Sequence, residues 1–263
     1  MPDLINVILL GIIEGITEFL PISSTGHLLI AEQWLQHRSD TFNIVIQAGA
    51  MLAVTLIYWR RIADMLFGWR DPANRDYAYK LLAAFGITAV LGLLVKKLGF
   101  ELPDSVTPVA WALIIGGFWI LVAEGIAARR PVRDEITWNV AIWVGIAQVV
   151  AGVFPGTSRS AATIFIAMLV GACSRASATE FAFLVGIPTM YAASAWSLMK
   201  DTGATDSAGE WQALLVGFVV SAIVAFVVVK WLLSYIRTHT FTLFAYYRIV
   251  LGVLLLLLPF GDT

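Results

Sequence analysis

Hydrophobic residues make up 59% of the 263-residue chain and charged residues 13%, about half the charge of an ordinary soluble domain. A net charge of −1 offers no basic face for nucleic acid, and the single Cys173 excludes an internal disulfide. The apolar runs approach the roughly 20 residues that a helix needs to cross a bilayer. Residues 1–263 therefore read as one integral membrane domain with no soluble domain. The start, Met1-Pro2-Asp3, lacks a basic region, and Glu14 and Glu18 interrupt the apolar run after it. Both features argue against a cleaved signal peptide.

Leu4 to Leu20 reads as a helix too short and too acidic for an ordinary span. Glu14 and Glu18 lie four residues apart, so they share one helix face. Pro21 ends that run, and Thr25 to about Leu35 predicts a short return helix capped by Ser23 or Ser24. Two short helices joined by a polar turn predict a re-entrant hairpin, tolerated in a membrane only under protein or water cover. Spans follow at Phe42–Trp59, Tyr79–Val95 and Pro108–Ala127. Trp138–Phe154 is broken by Pro155-Gly156 and returns as Ala161 to about Val170. Glu180–Met199, Trp211–Trp231 and Phe244–Leu258 complete the chain. The prediction is an all-α polytopic membrane protein with six transmembrane helices and two re-entrant hairpins.

The two hairpins match each other. Gly11, Glu14, Pro21 and Ser24 recur as Gly145, Gln148, Pro155 and Ser158, all at an offset of 134. This spacing predicts an internal repeat, with halves at about 4–127 and 138–260. Loop charge then orients the halves. Arg60, Arg61, Arg70, Arg75, Lys80, Arg129, Arg130, Arg133, Arg175, Lys230 and Arg237 fall on one side, and Arg38, Lys96, Lys97 and Lys200 on the other. The richer side is cytoplasmic by the positive-inside rule, although Lys96-Lys97 runs against it. The hairpins then enter from opposite faces, giving an inverted-topology repeat whose tips meet near the midplane.

The second tip reads Pro155-Gly156-Thr157-Ser158-Arg159-Ser160. Its helix start offers free N–H groups to an anion, and Arg159 adds donors that match phosphate oxygens. Each intramembrane charge costs about 2.5–3.5 kcal/mol on insertion scales. Two carboxylates, an arginine and a histidine at these tips are a heavy cost for one structural ion pair.

Glu14-x-x-x-Glu18 with Ser23-Ser24-Thr25-Gly26-His27, and Pro155-Gly156-x-Ser158-Arg159-Ser160-x-x-Thr163, resemble the motifs of the bacterial undecaprenyl-pyrophosphate phosphatase (bacitracin-resistance) family. The likeness spans nearly the whole chain and includes Val45-Ile46-Gln47 and Phe244-Ala245-x-Tyr247-Arg248. Ala161 departs from the glycine that many members carry there. The resemblance implies an inner-membrane phosphatase that releases the terminal phosphate of undecaprenyl diphosphate, uses Mg²⁺ or Ca²⁺, and opens to the periplasmic side.

The residues fit that chemistry. Glu14 and Glu18 are hard oxygen ligands for one divalent cation. Thr25, Ser158, Arg159, Ser160 and Thr163 are the expected phosphate contacts. Ser24 is the favoured nucleophile, activated by His27 three residues on, with Glu18 and Arg159 completing the catalytic set. Attack by His27 itself, or by a metal-bound water, is an open alternative. A polyprenyl-phosphate transporter is the competing class, because broken helices in inverted repeats are also transporter architecture. Small-residue faces permit a homodimer. His37 and His239 read as interfacial, Glu124 as pairing near Arg129 or reaching the headgroups, and Gln47 and Gln148 as hydrogen-bonding within the hairpins. Gly92, Gly116, Gly117 and Gly217 read as helix-packing positions.

Overall fold

The computed structural model describes residues 4–35, 37–99, 106–200 and 208–257. Every regular element among them is an α-helix: α1 Leu4–Thr17, α2 Ser24–Ala31, α3 Asp40–Ile57, α4 Trp59–Phe67, α5 Pro72–Lys97, α6 Val106–Ala127, α7 Trp138–Val153, α8 Arg159–Gly171, α9 Arg175–Lys200, α10 Ala208–Tyr235 and α11 Thr242–Leu257. Five of these (α3, α5, α6, α9 and α10) are long and apolar enough to cross a membrane. The chain is an all-α polytopic membrane protein. The last expected span is described for 16 residues, to Leu257, and Leu258 lies outside the described residues.

Several elements differ from the sequence reading. Asp71 accepts a hydrogen bond from Ala73 N, and Pro72 sits in the first turn, so α5 starts seven residues before Tyr79. Helix α9 starts at Arg175 rather than Glu180 and runs through Pro188. Helix α4, expected as loop, packs Met65 inward and leaves Leu66 and Phe67 exposed, as an interfacial helix does.

The packing follows the repeat. Gly11 of α1 approaches α10, where a methyl group would sit 3.0 Å from Gly217 O. Its sequence mate Gly145 of α7 approaches α5, where a methyl group would sit 2.7 Å from Ala84 O. The equivalent helices α3 and α9 pair through Thr41–Ser197 and Thr55–Tyr191, so numbers rise on one as they fall on the other. Helices α6 and α11 pair in the same sense, Glu124 meeting Phe241 and Leu113 meeting Arg248. Equivalent helices running antiparallel is the geometry of two inverted halves. The main apolar core lies beneath the tips, where Phe19 meets Phe183 edge-on and Phe165 meets Phe241.

Candidate active site

Each broken helix ends in a strained turn that the sequence builds from serine. Ser23 caps α2 and Ser158 caps α8, each hydroxyl accepting from the N–H three residues on at 3.3 Å. Both have positive φ, 75° and 70°, which costs a non-glycine residue on the order of 1–3 kcal/mol. Matched by these caps, the tips are offset by 135 residues rather than 134. Ser24 is therefore the counterpart of Arg159, each being the first residue of its helix.

Those two residues converge on one carboxylate. Ser24 Oγ donates to Glu18 Oε2 at 2.6 Å, and Arg159 forms an ion pair with Glu18 Oε1. The tips are also stitched directly, because Ser160 Oγ donates to Leu20 O at 3.1 Å and Ser158 bonds Ser160. A cavity of about 550 Å³ opens onto this cluster, lined by Glu18, Ser24, Thr25, Ser158 and Arg159 and walled by α5 and α7. Both helix starts deliver unpaired N–H groups here, and Arg159 holds further donors, so the cavity favours an anion. The serine hydroxyl beside a carboxylate supplies a nucleophile and its base in one hydrogen bond.

Other expected site residues take different places. Glu14 is 0% exposed, and neither of its carboxylate oxygens has a hydrogen-bond partner. Thr163 turns its hydroxyl back onto Arg159 O at 2.7 Å and does not line the cavity. Ser160 serves the joint between tips. Both imidazole nitrogens of His27 are engaged away from Ser24. Nδ1 lies 2.7 Å from Ser23 O and Nε2 2.7 Å from Tyr247 OH. A carbonyl only accepts, so Nδ1 carries the proton and Tyr247 donates to Nε2. His27 thus ties the first tip to α11, and the hydroxyl of Ser24 is directed at Glu18.

Two groups to which the sequence reading gave no place in the site complete the frame. Arg248, 0% exposed, spends all five N–H donors on main-chain carbonyls: Leu113, Pro21, Thr157, Ala112 and Gly156, at 2.9–3.3 Å. Pro21 belongs to one tip, and Gly156 and Thr157 to the other. One guanidinium therefore locks both. Gly116 makes room for it, since a Cβ there would overlap the guanidinium. Gln148 and Thr88 form the far wall. Gln148 Nε2 donates to Thr88 Oγ1 at 3.1 Å, and the buried Oε1 is left without a partner.

Several background expectations change. Glu124 is buried and pairs with Arg175, not Arg129, while also accepting from Phe241 N at 2.8 Å. Gly92 lines the cavity and has open space around it rather than a close helix contact. Gly217 does pack closely, against Ile46 and Phe42.

Residues 7–254 match the family described as bacitracin resistance protein BacA. The chain belongs to the bacitracin resistance protein BacA family. Relatives matched over nearly their whole length carry the name undecaprenyl-diphosphatase. One from Rhizobium johnstonii is 73% identical over 255 residues, covering 97% of this chain and 96% of that protein. One from Rhizobium etli is 71% identical with the same coverage, and one from Xanthomonas oryzae pv. oryzae is 60% identical, covering 98% and 97%. Within this BacA-family chain, strained backbone and buried charge coincide at the two hairpin tips.

Proposed function

We propose that the protein is an undecaprenyl-diphosphate phosphatase, releasing inorganic phosphate and leaving undecaprenyl phosphate as a reusable lipid carrier. The observation that carries the reading is the Ser24–Glu18–Arg159 cluster at the base of a cavity between helices. It joins a nucleophile, a base and a phosphate-matching cation, and high identity to undecaprenyl-diphosphatases supports the substrate class. The transporter reading has no observation of its own.

In the proposed first step Ser24 Oγ attacks the terminal phosphorus, and its proton passes to Glu18 Oε2 over the existing 2.6 Å bond. The P–O bond to the lipid monophosphate breaks, and that group leaves as an anion. Arg159 and the two helix starts hold the equatorial oxygens, where the charge of the transition state is spread. Water then cleaves the phosphoseryl ester: Glu18 returns its proton to Ser24 Oγ as the P–O bond breaks, and the water's protons leave on the released phosphate as dihydrogen phosphate. His27 and Arg248 fix the backbone that aims these groups.

A divalent cation, Mg²⁺ or Ca²⁺, fits Glu14 best, because a buried carboxylate with two unpartnered oxygens is a costly thing to leave uncompensated. Glu18, one turn away, is its nearest acidic partner in sequence; among the described residues no group of three His, Cys, Asp or Glu gathers to hold a metal alone. Bound there, the ion would supply positive charge to the phosphate oxygens, keeping waters as further ligands.

The arginine-rich helix ends are assigned to the cytoplasm. Helix α5 starts at that end, and Val95 and Lys96 from its other end line the cavity. The mouth is accordingly assigned to the periplasmic side of the bacterial inner membrane. Phosphate release from undecaprenyl diphosphate by the purified protein tests the reading. Steady release that Ser24→Ala and Arg159→Ala abolish is expected. Substrate that stays intact with the wild-type protein and added cation would overturn it.

A further inference from the structure

We infer that the arginine-rich end of the bundle holds a second anion site, shaped for the phosphodiester headgroup of an anionic phospholipid. A cavity of about 410 Å³ lies there, sharing none of the residues that line the cavity at the hairpin tips. Arg130, Arg175 and Arg237 line it from three different segments: the α6–α7 connection, the start of α9 and the α10–α11 connection.

The donors are only partly used. Arg175 turns Nε and Nη2 onto Glu124, so its Nη1 makes no hydrogen bond among the described residues. Arg130 spends Nη1 on Leu169 O, capping the end of α8. Arg237 makes no ion pair among the described residues. The nearby acids are occupied. Glu124 lies behind Arg175, and Asp134 accepts from Ser177 Oγ at 3.2 Å. Three guanidinium groups line one cavity, and the carboxylates set near them are Glu124 and, beside Cys173, Asp134, so positive charge and planar donors remain in excess. A phosphate ester satisfies both.

The remaining wall decides for a lipid over a free ion. Val132, Met168 and Ile236 are apolar, and Val132 is largely exposed. Trp231 and Tyr235 stack at 5.2 Å in the last turns of α10, just before Ile236 and Arg237. Such an aromatic pair marks the level where headgroups meet acyl chains. Basic pockets between helices at that depth on the cytoplasmic side suit anionic headgroups.

A purely structural role for the arginines, neutralising the C-terminal ends of α6, α8 and α10, makes a different prediction. It lowers stability on substitution whatever lipid is present. The test therefore reads a lipid-dependent increment. The full-length protein in neutral detergent is given dioleoyl phosphatidylglycerol, dioleoyl phosphatidylcholine or inorganic phosphate, and its Tm and retained lipid adducts in native mass spectrometry are recorded. Phosphatidylglycerol should raise Tm and leave a retained adduct that phosphatidylcholine does not. Arg130→Gln with Arg237→Gln should lose that increment while keeping phosphate release.

Should the double variant fold poorly, Arg237→Gln alone serves, because Arg237 has no ion-pair partner among the described residues to strand. Its phosphatidylglycerol adduct should weaken about tenfold, as loss of one charged hydrogen bond predicts. Equal increments from both lipids, or an increment that survives in both variants, overturns the site. A full shift from inorganic phosphate alone overturns the lipid assignment.

Discussion

Ser24 and Arg159 each hold one oxygen of the Glu18 carboxylate, although they lie 135 positions apart and start two different helices. The inverted packing of the halves brings these two helix starts face to face. The residues on this frame are not symmetric: Glu14 and Glu18 have no acid opposite them in the second half, and Ser24 stands opposite Arg159. A symmetric scaffold thus presents an asymmetric site, with the hydroxyl on one wall and the guanidinium on the other.

Arg248 bonds five carbonyls from the two tips and α6, so its removal should loosen the site as a unit. Arg248→Ala is expected to lower stability by about 3–5 kcal/mol, the scale of uncoupling a buried charged network, with loss of most activity. Arg248→Lys keeps the charge but has three donors for five carbonyls, and should recover only part. Gly116→Ala pushes on the same guanidinium and should reproduce the defect without touching either tip. Thermal unfolding and phosphate release measured on all three check this.

His27 and Tyr247 should act as one element. Tyr247→Phe removes the donor to His27 Nε2, and His27→Ala removes the acceptor. Both single variants should lower the rate, and the double variant should be little worse than His27→Ala. A double-mutant cycle on kcat measures this, with a coupling of about 1 kcal/mol expected for one hydrogen bond.

Glu14 reports on the cation. Glu14→Gln retains shape and volume while removing the charge, so it should raise the half-saturating Mg²⁺ or Ca²⁺ concentration by about tenfold or more. Direct cation binding to the purified variant, followed by calorimetry, gives the same answer without turnover. Unchanged cation affinity in both measurements would remove Glu14 from the metal set.

Lys96 stands in the cavity wall with the Trp196 ring 5.8 Å from its ammonium, and no ion pair among the described residues. Arg159 is matched by Glu18, so Lys96 is the uncompensated cation of the cavity. Lys96→Glu should lower kcat/KM for a diphosphate substrate while leaving kcat close to wild type, and the gap should close as ionic strength rises. Initial rates at two salt concentrations suffice.

Much of the site is legible in the sequence because polar residues inside apolar runs are expensive. Glu14, Glu18, Ser24 and Arg159 declare themselves on that ground. Arg248 carries the same signal, a charge within the last apolar run. Its partners could not be read, since they are main-chain carbonyls that no side-chain pattern encodes. The spacing of 134 residues matched the prolines and glycines, but the second tip holds one more residue between Pro155 and its cap than the first does after Pro21. That single residue replaces the apparent Ser24–Ser158 match with Ser24 opposite Arg159. The three-residue spacing of Ser24 and His27 suggested a hydroxyl–imidazole pair. The strained φ of Ser23 instead gives the imidazole a carbonyl within its own turn. Loop charges set only the expected sense of the halves, and Lys96, which runs against that rule, lines the cavity.

The most direct measurement is a rapid acid quench during turnover of undecaprenyl diphosphate labelled on its terminal phosphate, followed by peptide mapping of the protein. Attack by Ser24 predicts acid-stable label on the peptide containing residue 24, absent in Ser24→Ala. Turnover with no label on that peptide at any time, or acid-labile label on His27, would contradict it.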